Sequence, residues 1–129
     1  MEVNRYCVML MMLAVIATGA QAADKDGNYV VWGAGRASCN TYLHQREDEV
    51  AMGKFKGFLM GYLTAYNAFT PDTFRISGQR DLDALLEWLD QYCDEHRVEG
   101  FERAVQQLIN ALEPDKVQSA PRPGGAWTR

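Results

Sequence analysis

From Ser38 to Leu112 the apolar residues of this chain recur in stripes at spacings of three and four, the repeat that gathers side chains on one face of an α-helix. Ser38 is a good N-cap for a first helix carrying Cys39, Tyr42 and Leu43, which ends in the charged stretch Gln45–Glu49. A second helix is expected from about Val50 to Phe69, with Phe55, Phe58, Leu59, Tyr62, Tyr66 and Phe69 on one face. Thr70-Pro71-Asp72 stops it, and Thr73–Arg80 is a connector with Gly78 marking a turn. A third starts near Asp81, with Leu82, Leu85, Leu86, Leu89, Tyr92 and Cys93 as its stripe. The fourth runs from about Val98 to Leu112, turning Phe101, Ala104, Val105, Leu108, Ile109 and Leu112 inward, and Pro114 ends it. Tyr29-Val30-Val31-Trp32 is β-prone, but four residues cannot make a sheet alone. The expected fold class is all-α: a small bundle of three to four amphipathic helices.

The second helix carries another row, Gly53, Gly57, Gly61 and Ala65, at spacings of four. Each glycine costs a helix about 1 kcal/mol relative to alanine, and close approach of a neighbouring helix along this ridge is the expected reason. Lys54, Lys56 and Asn67 argue against a membrane span. The segment is therefore expected to be the central, most buried helix.

The chain's beginning sets its surroundings. Met1–Arg5 is slightly positive, Tyr6–Ala17 is almost unbroken apolar sequence, and Ala20-Gln21-Ala22 fits the A-x-A cleavage pattern. Twelve helical residues reach about 18 Å against roughly 30 Å of hydrocarbon, too short to span a bilayer. Residues 1–22 are thus expected to be a signal peptide cleaved before Ala23, residues 23–113 a helical domain, and residues 114–129 a disordered Pro/Gly-rich tail. The expected location is the bacterial periplasm, with no stable membrane insertion after cleavage.

Export also decides the cysteines. Cys7 leaves with the leader, and Cys39 and Cys93 remain as an even pair in an oxidising compartment. One disulfide closing a 54-residue loop is expected, contributing about 4 kcal/mol on the chain-entropy model. That is a large fraction of the roughly 5–15 kcal/mol that holds a small domain together. Losing Glu2 and Arg5 with the leader leaves 12 basic and 16 acidic residues. An acidic balance argues against nucleic acid, whose affinity comes from neutralised phosphates, and against an anionic membrane surface.

Few residues suggest chemistry. Gly33-Ala34-Gly35-Arg36-Ala37-Ser38 nearly spells a dinucleotide fingerprint, but its last position is Ser and no βαβ unit follows, so a flexible loop is expected. His44 and His96 lie near the cysteines, yet export offers both sulfurs a disulfide, and Cys39 and His44 are off the i, i+4 geometry of a helical pair. No H-E-x-x-H or C-x-x-C pattern marks a zinc site. No residue is assigned a catalytic, cofactor or metal role. The aromatic run on the second helix reads as core.

The candidate partner-binding residues lie on the third helix. Asp83, Glu87, Asp90 and Asp94 sit at i, i+4, i+7 and i+11, an acidic stripe opposite the leucines, with Trp88 among them. Such a stripe suits a basic partner, a loosely held cation, or simply solvent. Trp88 is either the edge of the core or an aromatic anchor for a partner.

Ser38-Cys39-Asn40-Thr41-Tyr42-Leu43, Gly57-Phe58-Leu59-Met60-Gly61-Tyr62 and Trp88-Leu89-Asp90-Gln91-Tyr92-Cys93, with one cysteine near the first helix and one late in the third, resemble the HdeA/HdeB-like periplasmic acid-stress chaperones over about residues 33–112. The resemblance implies a homodimer at neutral pH that unfolds in acid and shields aggregating clients. The same segments are similar to the periplasmic immunity proteins that neutralise type VI secretion amidases, which implies a specific toxin as partner, met by the acidic stripe or by Thr70–Arg80. Either way the expected activity is protein binding without catalysis and without a cofactor. At pH 2–3 most carboxylates protonate, since their reference values are about 3.9 and 4.3, and the chain becomes strongly positive and self-repelling.

Overall fold

The computed structural model describes residues 23–121. The expected signal peptide, 1–22, and residues 122–129 of the expected tail lie outside the described residues. The chain divides into two compact units at Val30 and Val31. In the described part of the first, Asp24 folds a turn on itself: its carboxylate accepts from the backbone N–H of Asp26 at 2.9 Å and of Asn28 at 2.8 Å.

The second unit is an all-helical bundle. A 3-10 turn, Gly33–Arg36, leads into α1 (Cys39–His44), α2 (Glu49–Phe69), α3 (Leu82–Glu95) and α4 (Phe101–Leu112), and a second 3-10 turn follows at Glu113–Asp115. Isolated bridges, Ser38 with Gly100 and Arg75 with Val117, supply the β pairing among the described residues. Cys39 and Cys93 are joined, with S–S at 2.06 Å, tying α1 to the end of α3. Three helices start at side-chain caps: Ser38 accepts from Thr41 N–H, Asp48 from Val50 and Ala51 N–H, and Asp81 from Ala84 N–H. Each satisfies donors that a helix start otherwise leaves orphaned.

The central helix is α4, and not α2 as the sequence pattern implies. Seven of the 12 residues of α4 are buried, against four of the 21 in α2, namely Met52, Phe55, Leu59 and Leu63. The rings of Tyr42, Phe55 and Phe101 meet at centroid distances of 4.8–5.2 Å, where α1, α2 and α4 converge. α2 outruns this core, which is why Phe69, on its expected inner face, is 86% exposed.

The fourth helix begins later than its periodicity suggests. Cys39 N–H donates to Glu99 O at 2.7 Å, and Phe101 N–H to Ala37 O at 2.7 Å, so Glu99 and Gly100 are spent on backbone pairing before the helix can start. The Gly33–Ser38 segment is an ordered turn instead of a flexible loop. A Cβ on Gly35 would run into the Phe58 ring and the Val31 side chain, so only glycine lets this turn lie against α2.

Order also continues past residue 113. Val117 N–H donates to Arg75 O at 2.9 Å, and Val117 O accepts from Phe74 and Arg75. Arg80 pairs with Asp115 at 3.1 Å. The segment expected to open a disordered tail instead straps the connector between α2 and α3, giving the connector's backbone partners it would otherwise lack.

Candidate functional site

The acidic stripe of α3 breaks up in three dimensions. Asp90 turns toward α1, where its Oδ1 accepts from the Tyr42 hydroxyl at 2.6 Å and its two oxygens take Arg46 Nε and Nη2 at 2.7 Å each. A two-pronged guanidinium–carboxylate pair of this kind fixes orientation as well as charge. Burial, and then the neighbouring Asp90, push the Tyr42 hydroxyl well above the ordinary tyrosine value. Asp94 is paired with Arg97. Asp83 and Glu87 are exposed on α3. The four carboxylates therefore do not face solvent as one set.

Trp88 is half-buried and packs against the core. Its ring stacks on Tyr92 at 5.2 Å, and Tyr92 stacks on His96 at 4.1 Å. These residues are four apart, so successive rings lie one above another along α3. Trp88 thus caps a ladder of rings at the edge of the core.

Asp90 belongs to a recurring arrangement. Four tyrosine hydroxyls donate to carboxylates, and each bond joins separate elements or closes a loop. Besides Tyr42 to Asp90, Tyr62 on α2 reaches Glu102 on α4 at 3.0 Å, Tyr66 on α2 reaches Glu113 at 2.5 Å, and Tyr92 on α3 reaches Glu99 at 2.8 Å. Glu102 is only 7% exposed and also accepts from Gln106 at 2.8 Å. Glu113 also holds Lys116 at 2.9 Å. The Tyr66 hydroxyl first, and Lys116 second, hold the Glu113 carboxyl below the ordinary glutamate value.

Periodicity places these tyrosines on inner faces and takes them for filling. What it passes over is that a buried phenol needs a polar partner for its hydroxyl. Glu102, adjoining the inward stripe of α4 and sitting in its first turn, is the visible signal. A carboxylate there also meets the positive end of the helix.

The glycine row of α2 lies in the open. Among the described residues, a Cβ on Gly53, Gly57 or Gly61 would meet nothing within 4 Å, so no described neighbouring helix explains them. Val50, 75% exposed, and Met60, 50% exposed, share the solvent side with Thr64, Ala65 and Ala68. From Gly57 to Phe69 the helix carries no charged residue.

The sulfurs of Cys39 and Cys93 are consumed in the disulfide, so neither is a thiolate nucleophile. Among the described residues, no three His, Cys, Asp or Glu side chains converge to hold a metal ion, and no helix is long and apolar enough to cross a membrane. Two open clefts flank the C-terminal strap. One of about 240 Å³ is lined by Asn67, Phe74, Arg75 and Pro121, and one of about 450 Å³ by Gln79, Arg80 and Asp115. Neither cleft is lined by a residue of the stripe.

No family model matches the chain, and no curated protein or solved structure matches it either.

Proposed function

We propose that this chain is an exported periplasmic protein that acts by binding another protein, without catalysis, as an HdeA-like stress factor that opens in acid. One observation carries the reading: four tyrosine hydroxyls that tie the helices and the loop after α3 all end on carboxylates. A hydrogen bond to a charged acceptor is stronger than one between neutral groups. Protonation of such an acceptor weakens the tie that ends on it, while the disulfide, which does not titrate, keeps the chain compact. Repulsion among the basic residues adds to the opening once the carboxylates are neutral.

The test uses the oxidised mature protein between pH 7 and pH 2 with an acid-labile client, following dye binding and light scattering. The reading expects apolar surface to appear below about pH 3–4, where carboxylates lose their charge, with the client kept in solution. A fold that persists through this range, or a client that aggregates regardless, refutes it.

The uncharged stretch of α2 from Gly57 to Phe69 favours a second reading, a specific inhibitor or immunity-type protein bound to its target at neutral pH. Exposed apolar surface of this kind marks a docking face more often than a bare surface. A tight one-to-one complex at pH 7, lost on placing an arginine at Gly57, is its expected signature.

A further inference from the structure

We propose that α2 is a releasable helix, built to leave the rest of the bundle while α1, α3 and α4 stay packed around the disulfide. This rests on the acid-opening reading and says which part opens.

The first argument is the glycine row. Glycine in a helix interior is retained where a side chain would collide, as at Gly35 in the neighbouring turn. At Gly53, Gly57 and Gly61 nothing among the described residues would collide. Their effect on the folded chain is to lower helix propensity in α2 alone. Replacing each with alanine shifts the balance toward helix by about fivefold, and all three by on the order of a hundredfold.

The second argument is how lightly α2 is held. Its buried side chains are Met52, Phe55, Leu59 and Leu63. Among the described residues, its polar ties include Tyr62 to Glu102, Tyr66 to Glu113, and Asn67 Oδ1 accepting from Ile76 N–H at 2.8 Å. By contrast α1 is joined to α3 by the disulfide and by the Tyr42–Asp90 hydrogen bond, and α3 packs along α4. Four buried side chains along 21 residues is the low burial expected of a locally unstable segment. The two turns that flank α2, Gln45–Asp48 and Thr70–Asp72, lie inside the loop closed by the disulfide, so a released α2 stays tethered at both ends.

The Tyr62 and Tyr66 ties both end on carboxylates, which makes the release acid-sensitive. Glu102 faces the Tyr62 hydroxyl from α2 and the Gln106 amide from its own helix. Glu113 faces Tyr66 from α2 and Lys116 from its own turn. The charged residue of the 3-10 turn packed against α2, Arg36, is exposed. Departure of α2 uncovers Met52, Phe55, Leu59 and Leu63 together with the rings of Tyr42 and Phe101 that they cover. That continuous apolar surface is the one a client would meet.

The test is hydrogen exchange of the oxidised mature protein, read segment by segment as protection factors from pH 7 to pH 3. The proposal expects residues 50–68 to lose protection at a higher pH than α3 and α4. Combined Gly53→Ala, Gly57→Ala and Gly61→Ala substitutions should raise α2 protection by on the order of a hundredfold and move dye binding to lower pH. Combined Tyr62→Phe and Tyr66→Phe should do the reverse. Loss of protection in all helices at one pH, or α2 protection unchanged by the alanines, overturns it. If α2 opens first yet no client is protected, the release stands and the chaperone reading falls. If clients are protected while the whole bundle opens together, the chaperone reading stands and the release falls.

Discussion

Replacing Asp90 with alanine removes the acceptor of two partners at once. The Tyr42 side chain is fully buried, and its hydroxyl donates to Asp90. Losing that acceptor leaves a buried donor unsatisfied, at about 1–3 kcal/mol. The Arg46–Asp90 pair is about a third exposed, with both side chains at 32%, so solvent screening holds its share to roughly 0.2–1 kcal/mol. Together the loss comes to about 1–4 kcal/mol, centred on about 2–3 kcal/mol. For a domain of this size each kcal/mol moves Tm by roughly 4–8 °C, so Asp90→Ala is expected to lower Tm by roughly 10–20 °C. Thermal and urea unfolding at pH 7 measure it directly. Tyr42→Phe removes the donor as well, so in the double variant the orphaned hydroxyl is gone. A double-mutant cycle should therefore return a coupling of about 1 kcal/mol or more. A loss below about 0.5 kcal/mol for Asp90→Ala, or a cycle with no coupling, would show that Asp90 is a solvated member of the acidic stripe after all. The tie would then carry no weight in the fold.

The glycines separate into two classes with opposite expected signs. Gly57→Ala has open space to fill and should stabilise the protein by about 1 kcal/mol, whereas Gly35→Ala drives a methyl group into Phe58 and Val31 and should cost about 1–3 kcal/mol; paired melting curves compare them. Because the Glu113 carboxyl is held below its ordinary value of 4.5, its contribution to stability is fully present above that value and is lost as pH falls through the lowered one. Glu113→Gln should flatten that part of the acid limb in a pH–stability titration, and a limb of unchanged shape counts against the Tyr66 tie. Reducing the disulfide should destabilise by up to about 4 kcal/mol, the loop-closure value for 54 residues, measured by denaturant unfolding with and without reductant.

The stripe also changes what a partner could meet. With Asp90 and Asp94 engaged by Arg46 and Arg97, Asp83 and Glu87 are the stripe carboxylates with the greater freedom to face a basic surface. The uncharged stretch of α2 from Gly57 to Phe69 is the larger departure from an ordinary solvated helix. Both functional readings therefore converge on α2: as a docking face at neutral pH, or as the element that leaves in acid.

The all-α class, the four helical stretches, the caps at Ser38 and Asp81, and the pairing of Cys39 with Cys93 were legible in the sequence by itself. Each follows from local rules: a 3.6-residue period, a side chain that accepts from the next turn, a pair of cysteines beyond the expected leader. The order of burial among the helices was not legible. Six aromatic or apolar residues on α2 look like a core face, but whether a face is covered depends on what the rest of the chain brings to it. The tertiary structure gave that place to α4, the helix packed by α1, α3 and the flanking 3-10 turns. The glycine row shows the same limit. Spacing reveals that a ridge is smooth, and only the folded chain reveals that no described residue lies on it. The carboxylate partners of Tyr42, Tyr62, Tyr66 and Tyr92 stand 7 to 48 residues away in sequence, and no local pattern specifies contacts between separate elements. Only the folded chain brings those hydroxyls and carboxylates together.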